Sequence, residues 1–121
     1  MNRPKRLEDI RLECNRSLFL GLDSFEGHFA VYSQGAHYGR HKDVFQTQDT
    51  RVLSLIIYLN SDWKPGMGGE LVIHVEPAFV VEPKAGTLVL FLSHEFEHEV
   101  LKTECERNSL CGWFRKSNLP K

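Results

Sequence analysis

The sequence predicts a mainly β protein with one packing helix at its N-terminus. Apolar residues recur at helical spacing near residues 5–19, at Leu7, Ile10, Cys14 and Leu18. Beyond Gly21, seven short apolar runs alternate with turn residues, as in a chain of short strands. A helix packed on an all-β core is the expected class, and sandwich, jelly roll and barrel all fit the pattern.

The helix and the strands have recognisable boundaries in the sequence. Pro4 stands where a helix start tolerates proline, and Gly21 falls just past the expected end. The run at 52–59 is apolar almost throughout, which is typical of a strand buried on both faces, and the glycines and proline of 62–69 predict a loop. The predicted strands are 28–32, 52–59, 71–75, 79–81, 87–92, 99–102 and 109–114.

Length and composition limit the classes of protein that fit. A chain of 121 residues predicts a single domain, 1–121, with residues 1–22 helical and 27–116 forming the β core. A formal net charge of −1 argues against a nucleic-acid or anionic-membrane partner, since either would favour a basic excess.

Location is predicted from the cysteines and from the absence of long apolar runs. No apolar run is long enough to span a membrane, and the charged first residues lack a secretory signal. The three cysteines form no CxxC pair, which argues against a disulfide framework. We therefore expect a cytoplasmic protein.

Residues 41–43 are the first candidate for a metal site. His41 and Asp43 lie two positions apart, so an extended backbone would place both side chains on the same face. The pattern arises often by chance in a chain with six histidines, and on this pair alone a polar surface turn is the preferred interpretation.

His98 is the best candidate for a third ligand. Two histidines and one carboxylate form the facial donor set of non-haem Fe(II) enzymes that activate oxygen, although a zinc hydrolase can use the same donors. His94 is the rival, but the spacing to Arg107 favours His98.

Arg107 favours an oxygenase over a hydrolase. It lies nine residues after His98, and two adjacent antiparallel strands joined by a tight turn would bring it near the metal. A buried arginine there would bind the carboxylate of a dicarboxylate co-substrate. The alternative is a surface salt bridge to Glu104 or Glu106.

These residues form part of a longer ordered pattern that resembles a known family. The likeness covers about 29–115, and the family is the prolyl hydroxylases of the 2-oxoglutarate and Fe(II) dioxygenase superfamily, nearest to small bacterial relatives of the hypoxia-inducible-factor prolyl hydroxylases. The matching elements are Tyr32, Gly-Arg-His-Lys-Asp at 39–43, Arg51, Ser-Leu-Ile-Ile-Tyr-Leu-Asn at 54–60, Asp-Trp at 62–63, Gly-Gly-Glu-Leu at 68–71, Glu-Pro at 82–83, Leu-Phe at 90–91, His-Glu-Val at 98–100, Arg107 and Ser-Leu-Cys-Gly-Trp-Phe at 109–114.

The resemblance implies a double-stranded β-helix, which is the jelly-roll form of the all-β class. It implies Fe(II) held by His41, Asp43 and His98, with O2 and 2-oxoglutarate as co-substrates, and it extends to ascorbate as a reductant. Arg107 matches the residue that binds the distal carboxylate of 2-oxoglutarate, and Tyr58 matches a tyrosine that helps to hold it. The matches at the pocket wall are Tyr32 and Trp113, and the match at the substrate entrance is Arg51.

The resemblance leaves the substrate open. Similar enzymes hydroxylate proline in proteins, and the bacterial relatives point to translation proteins such as elongation factor Tu. Fuller members carry more helices and strands before the N-terminal helix, so this chain is either a truncated form or binds its substrate with less enclosure. The other interpretations are a dioxygenase that acts on a small molecule or another side chain, and a non-catalytic β-sandwich binding module.

Overall fold

A computed structural model describes residues 3–43 and 50–117, with side chains from Leu7 onward. This part of the chain contains one helix and eight strands, which confirms the predicted mainly β class. The elements are α1 Arg3–Leu18, β1 Ser24–Tyr32, β2 Tyr38–His41, β3 Arg51–Tyr58, β4 Leu71–Ile73, β5 Phe79–Val81, β6 Leu88–Leu92, β7 His98–Val100 and β8 Arg107–Arg115.

The strands form two four-stranded antiparallel sheets. Sheet I has the order β1-β8-β3-β6, and sheet II has the order β2-β7-β4-β5. The chain crosses from one sheet to the other at every connection except that between β4 and β5. This is the predicted double-stranded β-helix.

One apolar cluster fills the space between the sheets. Tyr58 from sheet I is fully buried against Leu71 from sheet II, and both pack with valines and a phenylalanine of β5, β6 and β7. Because both sheets contribute, this cluster holds them face to face and leaves their remaining inner surface for a cavity.

The helix covers the other face of sheet I. Leu7, Ile10 and Cys14 pack against a buried cluster that includes Leu53 and Phe114. Leu18, which the periodicity assigned to the same apolar stripe, is 58% exposed, so that assignment is wrong. The helix ends at Leu18, and the next residue has a positive φ of 54°, so the chain turns before this stripe reaches the sheet.

The chain after the helix is fastened back onto it by polar side chains. The amide of Asn15 accepts from the backbone N–H of Leu22 at 2.6 Å and donates to its carbonyl at 2.8 Å. Arg11 Nη1 donates to the same carbonyl at 2.8 Å, and Leu22 itself is buried. Leu22 therefore anchors the segment after the helix between α1 and sheet I.

Two strand predictions are corrected by the structure. The strand β2 was not predicted, because its four residues, Tyr-Gly-Arg-His, show no apolar alternation. The proposed tight turn between adjacent strands before Arg107 is also wrong, because β7 belongs to sheet II and β8 to sheet I. Arg107 approaches the site from the facing sheet.

Within the described residues, α1 is too short and too polar to be a membrane-spanning helix.

Candidate metal centre

The structure brings His41, Asp43 and His98 together at one end of the space between the sheets. His41 ends β2, and His98 begins β7 directly opposite it in the antiparallel register. Their ring centroids lie 4.3 Å apart. One ligand atom from each of the three residues lies within 4.8 Å of the others, close enough for all three to bind a single ion.

Asp43 reaches the two histidines from the turn after β2. Its Oδ1 lies 3.1 Å from Nε2 of His98 and 3.4 Å from Nε2 of His41. The prediction assumed a continuous extended backbone, but the strand ends at His41 and Asp43 lies in a bend. The turn still directs the carboxylate towards the imidazoles.

Both imidazoles are oriented by backbone carbonyls two residues upstream. Nδ1 of His41 donates to the carbonyl of Gly39 at 2.7 Å, and Nδ1 of His98 donates to that of Phe96 at 3.2 Å. Because a carbonyl only accepts, each neutral ring carries its proton on Nδ1 and presents the lone pair of Nε2 to the site. This is the tautomer that a metal ion requires, and partners of this kind commonly orient metal-binding histidines.

The second oxygen of Asp43 is occupied by two donors from sheet I. Oδ2 accepts from Ser54 Oγ at 2.6 Å and from Trp113 Nε1 at 3.1 Å. Burial alone would raise the pKa of Asp43, but hydrogen bonds from His98, Ser54 and Trp113 and the charge of His98 outweigh it and lower the pKa to about 2. The carboxylate is therefore ionised at neutral pH, as a metal ligand must be.

The pKa of His98 moves in the opposite direction. Burial lowers this pKa, but the hydrogen bond and the negative charge of Asp43 exceed that effect and raise it above the ordinary value. Asp43 and His98 therefore each favour the charged form of the other.

Arg107 lies in the same cavity and is 4% exposed. Its Nε donates to the carbonyl of Gly69 at 2.7 Å, and Nη2 donates to the hydroxyl of Tyr58 at 3.1 Å. The surface salt bridge is wrong for this residue, since no carboxylate among the described residues pairs with it. Three of its five N–H donors are left for a ligand.

Two features shape the surroundings of Arg107. A Cβ at Gly69 would lie 2.8 Å from Cδ of Arg107, so glycine allows the close approach of the arginine. Burial raises the pKa of Tyr58 to about 12, despite the opposing charge of Arg107, so its hydroxyl keeps its proton at neutral pH. Tyr32 stacks on the guanidinium, with its ring centroid 5.1 Å from Cζ.

A single cavity of about 400 Å³ connects the three convergent ligands with Arg107. The predicted wall residues Tyr32 and Trp113 both line it, and so does Arg51, whose Cζ lies 4.9 Å from the Trp113 ring centroid. Tyr58 contributes through its contact with Arg107 rather than by lining the cavity.

Sequence reasoning gave no role at the cavity to His28 and rejected His94 as a metal ligand. His28 lines the cavity on β1, with its ring centroid 6.0 Å from that of Trp113, although the sequence predicts it only as the start of the strand 28–32. Its place two positions before Ala30 and four before Tyr32, both also lining, is the signal that was available. His94 is exposed and lies outside the convergent group.

Comparison with known proteins confirms the family resemblance over most of the chain. Residues 27–115 match the family model of the 2OG-Fe(II) oxygenase superfamily. A PKHD-type hydroxylase of Parvibaculum lavamentivorans is 37% identical over 87 residues, which cover 69% of this chain and 39% of that protein.

Solved structures of prolyl hydroxylases share the fold. A Pseudomonas putida prolyl-4-hydroxylase matches with a TM-score of 0.89 and 49% identity over 92% of this chain and 63% of its own. A prolyl hydroxylase of Trichoplax adhaerens, solved with a peptide fragment of the oxygen degradation domain of hypoxia inducible factor, matches with a TM-score of 0.82 and 25% identity over 91% and 53% of the two chains. The chain thus spans less than two thirds of these relatives, and it belongs to the 2OG-Fe(II) oxygenase superfamily.

Proposed function

We propose that this chain is a 2-oxoglutarate- and Fe(II)-dependent dioxygenase that hydroxylates an unactivated C–H bond, with a prolyl residue of a protein or peptide as its substrate. His41, Asp43 and His98 hold the iron in this proposal, and Arg107 with Tyr58 binds the distal carboxylate of 2-oxoglutarate. The observation that carries it is the presence of both groups in one cavity, the donor set at one end and, at the other, a buried arginine that pairs with no carboxylate among the described residues.

The donor set fits Fe(II), and Arg107 separates an oxygenase from a hydrolase. Two neutral imidazoles and one ionised carboxylate suit both Fe(II) and zinc. Hydrolysis at a zinc site does not itself require a buried guanidinium in the same cavity, whereas a dicarboxylate co-substrate does need a partner for its second carboxylate. A dicarboxylate with a keto acid group at one end satisfies both ends, since the keto acid chelates a metal and the other carboxylate accepts from the guanidinium.

The protein contributes binding, orientation and shielding. When bound, iron supplies the oxidising chemistry that couples decarboxylation of 2-oxoglutarate to hydroxylation of the substrate. Arg107 and Tyr58 fix the distal carboxylate, with Tyr58 as a donor because its phenol stays protonated. Ile56 and Trp113 give the cavity an apolar wall that limits water near the reacting centre. Tyr32 packs over Arg107, and Arg51 lies beside Trp113 towards the substrate side.

The prolyl substrate is supported by the relatives. The Pseudomonas putida and Trichoplax adhaerens proteins are prolyl hydroxylases, and the second was solved with a peptide. Translation proteins such as elongation factor Tu are the first substrates to test, and ascorbate is the reductant to include. The proposed location is the cytoplasm, which the three free cysteines support.

The test is turnover with Fe(II), 2-oxoglutarate, O2 and ascorbate, followed by succinate release and mass spectrometry. We expect succinate together with a gain of one oxygen atom on a proline of a candidate protein. A gain on a metabolite or on another side chain would retain the dioxygenase and reject the prolyl substrate. Failure to bind 2-oxoglutarate in the presence of Mn(II) would reject the dioxygenase and favour a non-catalytic binding module.

A further inference from the structure

Ser54 is a buried hydroxyl in the middle of an otherwise apolar strand. It is 2% exposed on β3, between Leu53 and Leu55, and it faces the interior, where its cross-strand partners are Phe91 and Trp113. A buried hydroxyl destabilises a protein unless it is hydrogen-bonded, so its place in this strand needs a physical reason.

The hydrogen bonds of Ser54 have a defined direction. Its Oγ lies 2.6 Å from Oδ2 of Asp43 and 2.8 Å from Oγ of Ser93. An ionised carboxylate only accepts, so the single hydroxyl proton of Ser54 goes to Asp43. Ser93 must then donate to Ser54, and the donors run in one direction from Ser93 through Ser54 to Asp43.

These consecutive hydrogen bonds begin at Ser93, which is held in place in sheet I. Ser93 follows the last residue of β6, has no exposed surface, and donates its backbone N–H to the carbonyl of Val52 at 2.9 Å. Asp43, by contrast, lies in a bend after the last residue of β2, in the chain of sheet II. The two hydrogen bonds therefore connect the Asp43 side chain, which lies in a turn, to a buried part of sheet I.

As a consequence, the two carboxylate oxygens of Asp43 have different partners. Ser54 and Trp113 both donate to Oδ2, while Oδ1 is left facing Nε2 of the two histidines. Without the Ser54 hydroxyl, Oδ2 would keep one donor among the described residues, Trp113, at the longer distance of 3.1 Å, so the carboxylate would be less restrained against rotation.

We propose that Ser54, supported by Ser93, is a positioning residue that selects Oδ1 of Asp43 as the single oxygen presented to the metal. The inference rests on the proposed function, because it requires Asp43 to be a metal ligand. Groups that orient metal ligands in this way are typically worth roughly 10–100-fold in metal affinity.

The test is the affinity of the full chain for Mn(II), measured by calorimetry and by the loss of the free-ion EPR signal, with no co-substrate present. Ser54→Ala is expected to weaken binding roughly 10–100-fold. Ser54→Thr, which keeps the hydroxyl, is expected to recover most of the loss. Ser93→Ala is expected to weaken binding less than Ser54→Ala does, since it removes the donor one step further away.

Ser109→Ala is the matched control. Ser109 is equally buried, but its Oγ contacts Cys111 Sγ at 3.3 Å rather than Asp43. This variant also loses a buried hydroxyl, so a purely structural effect would appear in it too, whereas the positioning role predicts unchanged Mn(II) affinity. Circular dichroism checks that each variant is folded, and Ser93→Ala and Ser54→Thr decide the question if Ser54→Ala does not fold.

Asp43→Ala separates failure of this inference from failure of the proposed function. If Asp43→Ala loses Mn(II) while Ser54→Ala and Ser93→Ala bind it as tightly as the unsubstituted chain, the positioning role is overturned and the metal site stands. If Asp43→Ala also binds Mn(II) normally, Asp43 is not a ligand and both are overturned.

Discussion

The two ends of the cavity are built from different kinds of contact. At the metal end, both histidine rings are oriented by carbonyls only two residues away along the chain. At the arginine end, Arg107 is held by Gly69 and by Tyr58, which lie 38 and 49 residues away. The two histidine rings are therefore oriented locally, although Asp43 beside them depends on Ser54 and Trp113 of the facing sheet, whereas Arg107 is oriented entirely by contacts distant in the chain.

The two ends also differ in burial and in charge. His98 is as buried as Arg107, with 4% of each exposed, and Tyr58 has no exposed surface, whereas the side chains of His41 and Asp43 retain 19% and 12%. The pKa of Asp43 is lowered and that of His98 is raised, so each shift favours the charged form, whereas the raised pKa of Tyr58 keeps its phenol neutral. We therefore expect substitutions at the metal end to change metal binding most, and substitutions at the arginine end to change both stability and co-substrate binding.

The largest effects on ligand affinity are expected when each end of the cavity is substituted in turn. His98→Ala removes one of three ligands and should weaken Mn(II) binding by more than the roughly 10–100-fold typical of an outer partner. Arg107→Lys keeps the positive charge but loses the planar fork, so it should weaken 2-oxoglutarate binding by about 10-fold or more and leave Mn(II) affinity nearly unchanged. Calorimetry with each ligand gives both values.

His94→Ala is the control for His98→Ala. His94 is an exposed histidine four residues upstream, and its substitution should change neither affinity. Loss of Mn(II) binding in Arg107→Lys, or its retention in His98→Ala, would contradict the separation of the two ends.

The next effect concerns the close approach of Gly69 to Arg107. In Gly69→Ala, the new Cβ would meet Arg107 Cδ at 2.8 Å in a backbone with φ of 77°, so the variant suffers both overpacking and strain. Overpacking typically destabilises by about 1–3 kcal/mol, and residues other than glycine at such φ values add about 1–3 kcal/mol. Urea unfolding measures the loss, and 2-oxoglutarate binding should weaken with it.

Gly66→Ala isolates the contact from the strain. Gly66 has a φ of 97°, but nothing lies within 4 Å of an added Cβ. The difference between the two variants is therefore the effect of displacing Arg107. Equal losses of stability and equal 2-oxoglutarate affinities would show that Gly69 serves only the backbone.

A smaller effect is expected from Tyr58→Phe. The variant keeps the buried ring and removes one hydroxyl that accepts from Arg107, so 2-oxoglutarate binding should weaken by an amount equivalent to about 1 kcal/mol. Mn(II) affinity should not change. A loss as large as that in Arg107→Lys would mean that the hydrogen bond of Arg107 to the carbonyl of Gly69 is not sufficient to orient the guanidinium.

The pH dependence of stability gives an independent test of Tyr58. Its pKa in the folded protein is raised to about 12, whereas an unfolded tyrosine titrates near 10, so its contribution is fully present below about pH 10. As pH rises from 10 through 12, the unfolded state loses the proton first and this stability is lost. In urea unfolding across this range, the unsubstituted chain should lose stability more steeply than Tyr58→Phe.

The difference between local and long-range contacts explains which parts of the site the sequence could predict. The helix, most strands and the convergence of His41, Asp43 and His98 follow from periodicity and from a pattern of matching residues. The sequence could not show that β7 and β8 lie in facing sheets, since both alternatives place Arg107 near the metal. The strand β2 could not be predicted, because it is held extended by its pairing with β7 rather than by its own composition. The role of Gly69 could not be predicted, because it contacts Arg107 across a long separation in the chain.

The smallest effect is expected at an exposed ion pair beside the metal end. Arg40 Nε and Nη2 lie 3.0 Å and 2.9 Å from Oε1 of Glu97, so the pair joins β2 to the residue before β7, next to both histidines. The side chains are 53% and 44% exposed, and exposed pairs are typically worth about 0–1 kcal/mol. Glu97→Gln should therefore lower the free energy of unfolding by less than about 1 kcal/mol, less so at high salt, with nearly unchanged Mn(II) affinity. A substantial loss of affinity would show that the backbone pairing of β2 with β7 is too weak to align His41 with His98 without this pair.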